Sequence, residues 1–503
     1  MSRERGGGLL LPVLLLLLLY LLGVPPFVVG LIVAWYAILL YSENMGGLDR
    51  INATRVLGVI LMLRTNRGKR VLDAISKKRA FWRGYGEFSI WLCFFVMLFV
   101  ILMLTISAIS VILNPPPPEQ VLPASDLLLI PGVTSFVPFW WPALALIVAL
   151  VIHEYSHGIQ ARAHGMRLRS FGLLLVGPVP IGAFAEPEEE EMDRAPKRDR
   201  MRLFAAGPSI NIIATYVVLI LLSAIASGMI ADNEGVHSRG IVAGGPAEGA
   251  NLMPYETITH INGVEVPGYS EFTNEMGRLS AGDQATFTVL SLPDFGSERD
   301  EREMTVTLGD RYEYYLAGCD GDATCIEEKE DLLDLLGIEP EDAFLGVSDL
   351  RSGTAAMDGY SYIVDGDYPP MATSLLMVIQ PLLMLYEPIE NSGQTMILEE
   401  RAMLVAGSGF VASTLGTEGT LMLFDFLFWL VWINFLLGFA NLIPMIPFDG
   451  GHLVRDGVHS TLRRLRKGIH PMKIEQMADR MSSMSSLLIL ILLLIPVIVP
   501  RLL

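Results

Sequence analysis

Apolar runs long enough to cross a bilayer recur along this 503-residue chain and constrain it more than any other feature. A spanning helix needs about 20 apolar residues, because a rise of about 1.5 Å per residue must cover about 30 Å of hydrocarbon. The runs 88–113, 140–157, 203–230, 421–446 and 487–503 meet or approach that length. The run 9–41 is broken only at Pro25-Pro26 and reads as two short spans or one long tilted span. Arg3 and Arg5 ahead of it also fit a cleaved signal peptide, but no small-x-small cleavage site comes after it, so retention is expected. Two further stretches are shorter: 371–386 is interrupted by Gln380-Pro381, and 402–415 by Gly407 and Gly409. They are expected to be interfacial, re-entrant or a pair of short spans.

Charge gives these spans a direction. Arg and Lys gather at 42–86, 162–202 and 455–480, and such loops stay cytoplasmic. Between Asp232 and Pro370 stand 29 acidic against 7 basic residues, so this insert is expected on the opposite, extracytoplasmic side of a cell membrane crossed several times. Only 18% of all residues are charged, against about 25% in an ordinary soluble domain. That composition excludes a disordered chain and a disulfide-rich secreted scaffold. A net charge of −18 speaks against nucleic acid as a partner, because phosphate binding needs clustered Lys and Arg. Cys93 lies inside a span and reads as packing. Cys319 and Cys325 flank five residues of the acidic insert, where a disulfide is expected on an extracytoplasmic face. A zinc site there is disfavoured, since no other Cys or His is close in sequence.

One motif carries chemistry: His153-Glu154-Tyr155-Ser156-His157. On a helix, positions i and i+4 share a face, so two imidazoles can hold one zinc ion and the intervening Glu154 can act as general base toward water. The motif closes the apolar run that starts at Trp140, where ionisable residues are expensive and usually functional. The bland alternative is a pair of interfacial imidazoles capping a span. A catalytic zinc site needs a third protein ligand. The metzincin pattern fails, because Gln160 and Ala163 stand where Gly and His would be required. The acids between Glu186 and Glu191 read as a solvated loop. Asp449 is the strongest candidate: it comes after Pro444 and Pro447, precedes Gly450-Gly451, and ends an apolar run. Its own bland alternative is a turn where the helix leaves the membrane.

These residues resemble the site-2 protease family of intramembrane zinc metalloproteases. His153-Glu154-x-x-His157, followed by Gly158, Ala161, Arg162 and Gly165, is similar to that family's first signature. Asn441-x-x-Pro444 leading to Asp449-Gly450 is similar to its second, and Gly207-Pro208-x-x-Asn211 to a weaker third. The resemblance implies one zinc per chain held by His153, His157 and Asp449. It implies that Glu154 activates water and that Asn441 helps to position the substrate. The stretch 172–185, apolar but too broken to span, resembles the family's membrane-embedded β-loop. Such a loop can offer its edge to an unwound substrate segment by strand addition. Unwinding is needed because a transmembrane helix hides its scissile amides in its own hydrogen bonds. His164 reads as a polar loop residue and not as a ligand.

Within the insert, 239–310 has the texture of a small β-rich domain. A strand is expected to start at Gly240-Ile241-Val242 and a short turn or helix at Gly245-Pro246-Ala247. Asn262-Gly263 predicts a hairpin between 257–261 and 264–266. A helix is expected over 270–279, strands over 285–290 and 304–308, and an acidic helix over 327–336. The run from Gly244 to Ala250, and then Ile261-Asn262-Gly263, resembles PDZ domains, which implies binding of an extended peptide or C-terminus along a strand edge. The alternative is an unspecialised globular insert.

The expected architecture is a polytopic α-helical membrane protein: a multi-span helical core with an inserted extracytoplasmic PDZ-like α+β domain. The segments are 1–138, N-terminal spans with a basic cytoplasmic loop; 139–231, the first catalytic part with the motif helix and re-entrant loop; 232–370, the acidic insert; 371–420, interfacial or short membrane segments; and 421–503, the second catalytic part. The expected function is a zinc-dependent intramembrane endopeptidase acting on membrane-anchored protein substrates within the lipid bilayer. Two other classes compete with it. A catalytically inactive client-binding relative would not need all four of His153, Glu154, His157 and Asp449. A transporter or channel would show repeated broken helices.

Overall fold

Hydrocarbon offers no partner to a backbone N–H or C=O, so an apolar run that crosses it must close its own hydrogen bonds as a helix. The computed structural model describes residues 26–502 apart from 57, 66–68, 118–120, 122, 124–125, 127–128, 178, 294–298, 320–321 and 467. The part of the expected span 9–41 that precedes Pro26 lies outside the described residues. The rest of that run forms α1 (Pro26–Asn44), apolar but short. Among the described residues, five helices are long and apolar enough to cross a membrane: α2 (Arg79–Leu113), α3 (Trp140–Ala163), α4 (Lys197–Ala226), α5 (Phe410–Asn441) and the C-terminal helix Pro471–Leu502. Each contains or overlaps one of the remaining long runs. Before the last of them comes α6 (Asp449–Leu465), so the C-terminal helix is α7.

The chain forms two compact units. The first takes in the described residues up to Leu219, Met377–Gly393 and Asp425 onward. Its core joins Ile90, Cys93 and Met97 of α2 to Ala205 and Ile212 of α4, with Leu442 and with Leu453 of α6. Cys93 is fully buried, as expected of packing, and its thiol donates to the Ala205 carbonyl at 3.3 Å. A carboxylate fixes α6: Asp456, fully buried, lies 3.0 Å from Arg200 Nε and 3.6 Å from Lys197 Nζ.

This unit also holds a four-stranded antiparallel sheet in the order β1 (Ala53–Val56), β2 (Ile60–Thr65), β3 (Leu168–Val176), β4 (Val179–Pro187). The last two strands are the broken apolar stretch expected around 172–185. The first two correct the reading of 42–86 as a plain basic loop. Leu63 pairs with Leu173, a partner more than a hundred residues away that local pattern cannot reveal.

The second unit takes in Ile220–Leu376 and Gln394–Phe424. Its strands are β5 (Met229–Ala231), β6 (Val236–Ile241), β7 (Thr257–Ile261), β8 (Val264–Glu265), β9 (Gln284–Leu290), β10 (Glu301–Thr307), β11 (Gly309–Asp310), β12 (Ala343–Phe344), β13 (Val347–Ser352) and β14 (Leu404–Ala406). A sheet runs β10-β9-β7-β6-β13, with β8 paired to β7 through the Asn262-Gly263 turn. Val236, Ile258, Ile261, Phe287, Val289 and Val306 fill its core, with Phe272 from the helix Tyr269–Met276. The strand expected to begin at Gly240 instead ends at Ile241, because the buried residues Val236, His237 and Ser238 lie before it. Cys319 and Cys325 form a disulfide, and Cys325 lies in the first turn of the helix Ala323–Leu336. The stretch 402–415 divides: it supplies β14, which pairs with β5, and then the first residues of α5, which bends at Gly416 (φ 68°, ψ −176°). The helix Pro370–Leu383 is apolar and short, as the break at Gln380-Pro381 implies.

One buried ion pair ties β6 to the helix Leu398–Ala402. Glu400, with a side chain only 1% exposed, accepts from Arg239 Nε at 2.7 Å and Nη2 at 2.8 Å and lies 3.4 Å from His237 Nε2. Burial pushes its carboxyl up, but the hydrogen bonds from His237 and Arg239 outweigh burial and hold it down at about 2. A depressed folded-state pKa stabilises the fold above the unfolded value and loses that contribution as pH falls through the folded one. Glu400→Gln is therefore expected to flatten the acid limb of stability between about pH 4.3 and pH 2. Melting temperature against pH for both chains checks this; identical slopes remove Glu400 from the account.

Candidate metal centre

The centre is built where α3 turns from apolar to polar. Residues up to Ile152 suit hydrocarbon, and His153 and His157 then stand one helical turn apart on one face. The helix ends just beyond, where the Met166 N–H reaches back to the Ala161 carbonyl at 2.9 Å and the Gly165 N–H to Arg162 at 3.0 Å. The two Nε2 atoms lie 3.2 Å apart, with ring planes 79° to each other. His157 Nδ1 donates to the Leu203 carbonyl of α4 at 2.7 Å. That bond fixes the tautomer and leaves Nε2 as a free lone pair. His153 Nδ1 is buried without a partner among the described residues.

Asp449 arrives from the other end of the sequence. It is the first residue of α6, after a loop that contains a cis Ile446–Pro447 bond. Gly450 and Gly451 let the helix start against that loop: a Cβ at 450 would fall 2.7 Å from the Leu442 carbonyl, and one at 451 would fall 2.5 Å from Ile446 N. Asp449 Oδ2 then lies 3.3 Å from His153 Nε2 and 3.3 Å from His157 Nε2. The three donors form a triangle with edges of 3.2, 3.3 and 3.3 Å. Tetrahedral zinc, with ligands at about 2.0–2.1 Å, separates neighbouring ligands by about 3.3 Å. Two imidazole nitrogens and a carboxylate oxygen are also the donor types zinc takes, so the residues present fit the ion.

Glu154 stands beside this triangle. Its Oε2 accepts from the Ala185 N–H of β4 at 2.6 Å, and its ligand atom lies within 4.8 Å of those of His153 and His157. Asn441 closes α5, and its amide donates to the Leu437 carbonyl at 3.0 Å; it does not join the three converging donors. His164 stays outside the triangle too: its Nδ1 donates to the Gln160 carbonyl at 2.9 Å and its Nε2 lies 3.5 Å from Asp199. Of the acids after β4, Glu188 and Glu191 pair with Arg167 at 3.0 and 2.6 Å.

The motifs alone did not reveal how α4 serves the site. Besides Leu203, it offers the Ala206 carbonyl to Ser156 Oγ at 2.8 Å, and Ser209 Oγ lies 2.8 Å from Tyr85 Oη of α2. The Gly207-Pro208-x-x-Asn211 block marked this helix. Backbone acceptors have no side-chain signature, so their part was unreadable.

The sequence profile of Peptidase family M50 matches residues 141–489, well over half of the chain. An uncharacterized protein of Methanocaldococcus jannaschii is 31% identical over 192 residues, which are 38% of this chain and 49% of that protein. The chain thus spans about half the length of that relative. Zinc metalloprotease Rip1 of Mycolicibacterium smegmatis is 22% identical over 363 residues, covering 62% of this chain and 83% of the relative. Zinc metalloprotease Rip1 of Mycobacterium tuberculosis is 24% identical over 368 residues, covering 64% and 84%. The matched residues run from the start of α3 past Asp449, and the chain belongs to Peptidase family M50, the site-2 protease family, as a membrane metalloprotease.

Proposed function

We propose that this chain is a zinc-dependent endopeptidase that hydrolyses peptide bonds in or near the transmembrane segments of membrane-anchored proteins. The observation that carries the reading is the donor triangle: His153, His157 and Asp449 converge with side chains only 5%, 9% and 14% exposed, at the polar end of an apolar helix. These three residues hold one zinc per chain. Zinc so bound acidifies water and polarises a carbonyl. Glu154 takes the proton from the attacking water and returns it to the leaving amine. Asp449 and the two imidazoles would hold the ion, with His157 kept in place by the Leu203 carbonyl.

The substrate enters as an extended strand along β4, the last strand of its sheet. That edge supports the assignment because its Ala185 N–H already faces Glu154, so a backbone paired there runs past the base. Asn441 positions the same strand, an assignment that rests on its motif alone. The acidic insert is extracytoplasmic, as the Arg-rich stretches elsewhere support. Its Asn262-Gly263 hairpin and the run from Gly244 to Ala250 support a PDZ-like module that takes an extended peptide or C-terminus and filters clients. Release of a cytoplasmic factor from a membrane anchor is the process this arrangement suits.

The test is cleavage of a single-span model substrate by the detergent-purified full chain. Chelation is expected to abolish cleavage and about one equivalent of zinc to restore it, with cut sites inside or beside the apolar segment. Undiminished cleavage by protein shown to be free of zinc would overturn the proposal.

A further inference from the structure

Glycine is a poor helix former, so one in the middle of α4 asks for a reason. The ideal position of a Cβ on Gly207 lies 2.3 Å from His157 Nε2, 2.6 Å from His153 Nε2 and 2.7 Å from His157 Cε1. Non-bonded heavy atoms rest at about 3.5–4.0 Å, so a carbon is excluded there. Zinc bonds imidazole nitrogen at about 2.0–2.1 Å, so the same neighbourhood is the one an ion needs.

We propose that Gly207 keeps the metal position open, and that any side chain at 207 competes with the ion for the space beside the two imidazoles. This rests on the assignment of His153 and His157 as ligands.

Neither wall can yield cheaply. On one side, His157 cannot swing away without breaking its 2.7 Å bond to the Leu203 carbonyl. On the other, α4 is clamped around residue 207. Ser156 Oγ donates to the Ala206 carbonyl at 2.8 Å, and Tyr85 Oη lies 3.2 Å from that carbonyl and 2.8 Å from Ser209 Oγ. Ser209 Oγ in turn donates to Ser89 Oγ at 2.8 Å. α2 packs as closely: a Cβ at Gly86 would fall 2.9 Å from Arg202 Cβ. A methyl at 207 is therefore accommodated by displacing an imidazole or by excluding the ion.

The experiment compares the full chain, Gly207→Ala and Gly359→Ala in detergent. Gly359 is the control for the substitution, since a Cβ there meets nothing within 4 Å. Zinc affinity is read by competition with a chromophoric chelator, and melting temperature with and without zinc. The natural chain and Gly359→Ala are expected to bind alike and to melt higher with zinc. Gly207→Ala is expected to bind about 100-fold more weakly, the upper end of what a change around the ligands does, and to show little rise with zinc. A background of His153→Ala with His157→Ala separates packing from metal: with the imidazoles gone, adding Gly207→Ala is expected to leave melting no lower, since alanine is the better helix former. Zinc affinity of Gly207→Ala within threefold of the natural chain overturns the inference alone. A fall in melting in the imidazole-free background also overturns it, since the defect would then be one of helix packing. A natural chain that takes up no zinc overturns the ligand assignment beneath it, and this inference with it.

Discussion

Glu154→Gln is expected to lower turnover of a membrane substrate by about 10²–10⁴-fold, the usual contribution of a general base, while zinc stays bound. The substitution changes little else. Glutamine has the same reach, and its carbonyl oxygen can keep the hydrogen bond from Ala185 N–H. It adds no bulk beside the three converging donors, so zinc content is expected to remain near that of the natural chain. What it cannot do is accept a proton. Turnover number and Michaelis constant measured separately distinguish this from a binding defect: the first collapses and the second moves by no more than a few fold. Activity within tenfold of the natural enzyme would remove Glu154 from the role of base.

Asp449→Ala is expected to fail differently, by losing the metal first. His153 and His157 keep their positions on α3, but the triangle loses its only charged corner, which lies 3.3 Å from each Nε2. Changes to residues that only support a ligand weaken metal binding by about 10–100-fold, so removal of a ligand itself is expected to exceed ~100-fold. The fold is expected to survive, with a loss of about 0.3–1 kcal/mol from removing an acid in the first turn of α6. Zinc titration of the purified variant gives the answer. Near-stoichiometric zinc at the natural affinity would exclude Asp449 from the ligand set and leave the third donor to be found elsewhere.

The membrane helices were legible because hydrocarbon demands about 20 apolar residues in a row, a property of single segments. The hairpin 257–265 was legible for an equally local reason, the Asn262-Gly263 turn. What stayed hidden depends on partners far away in the chain. β1 and β2 sit among arginines; β1 pairs with β2, and β2 joins the sheet by pairing with the distant β3. β13 alternates too weakly to announce itself, and β14 exists because β5 is beside it. The site divides in the same way. Two ligand candidates four residues apart on one helix are readable from spacing. Asp449 was readable only through the prolines and glycines that start its helix. The Leu203 carbonyl was unreadable. Gly207 was visible as a residue but mute, because a missing side chain acquires meaning only once its neighbours are known.

The hydrogen bond between Glu154 and the Ala185 N–H has one more consequence. The rim of a sheet is adhesive, since its outward N–H groups will pair with any extended chain that comes near. Here one of those groups is stoppered by the very carboxylate assigned to the chemistry. A chain that pairs with Ala185 there offers its own carbonyl, so the number of hydrogen bonds is kept while a carboxylate acceptor gives way to a neutral one. If a substrate strand docks on β4 as proposed, its backbone takes the place of Glu154 at Ala185, and the carboxylate assigned as base is freed beside the chain it acts on.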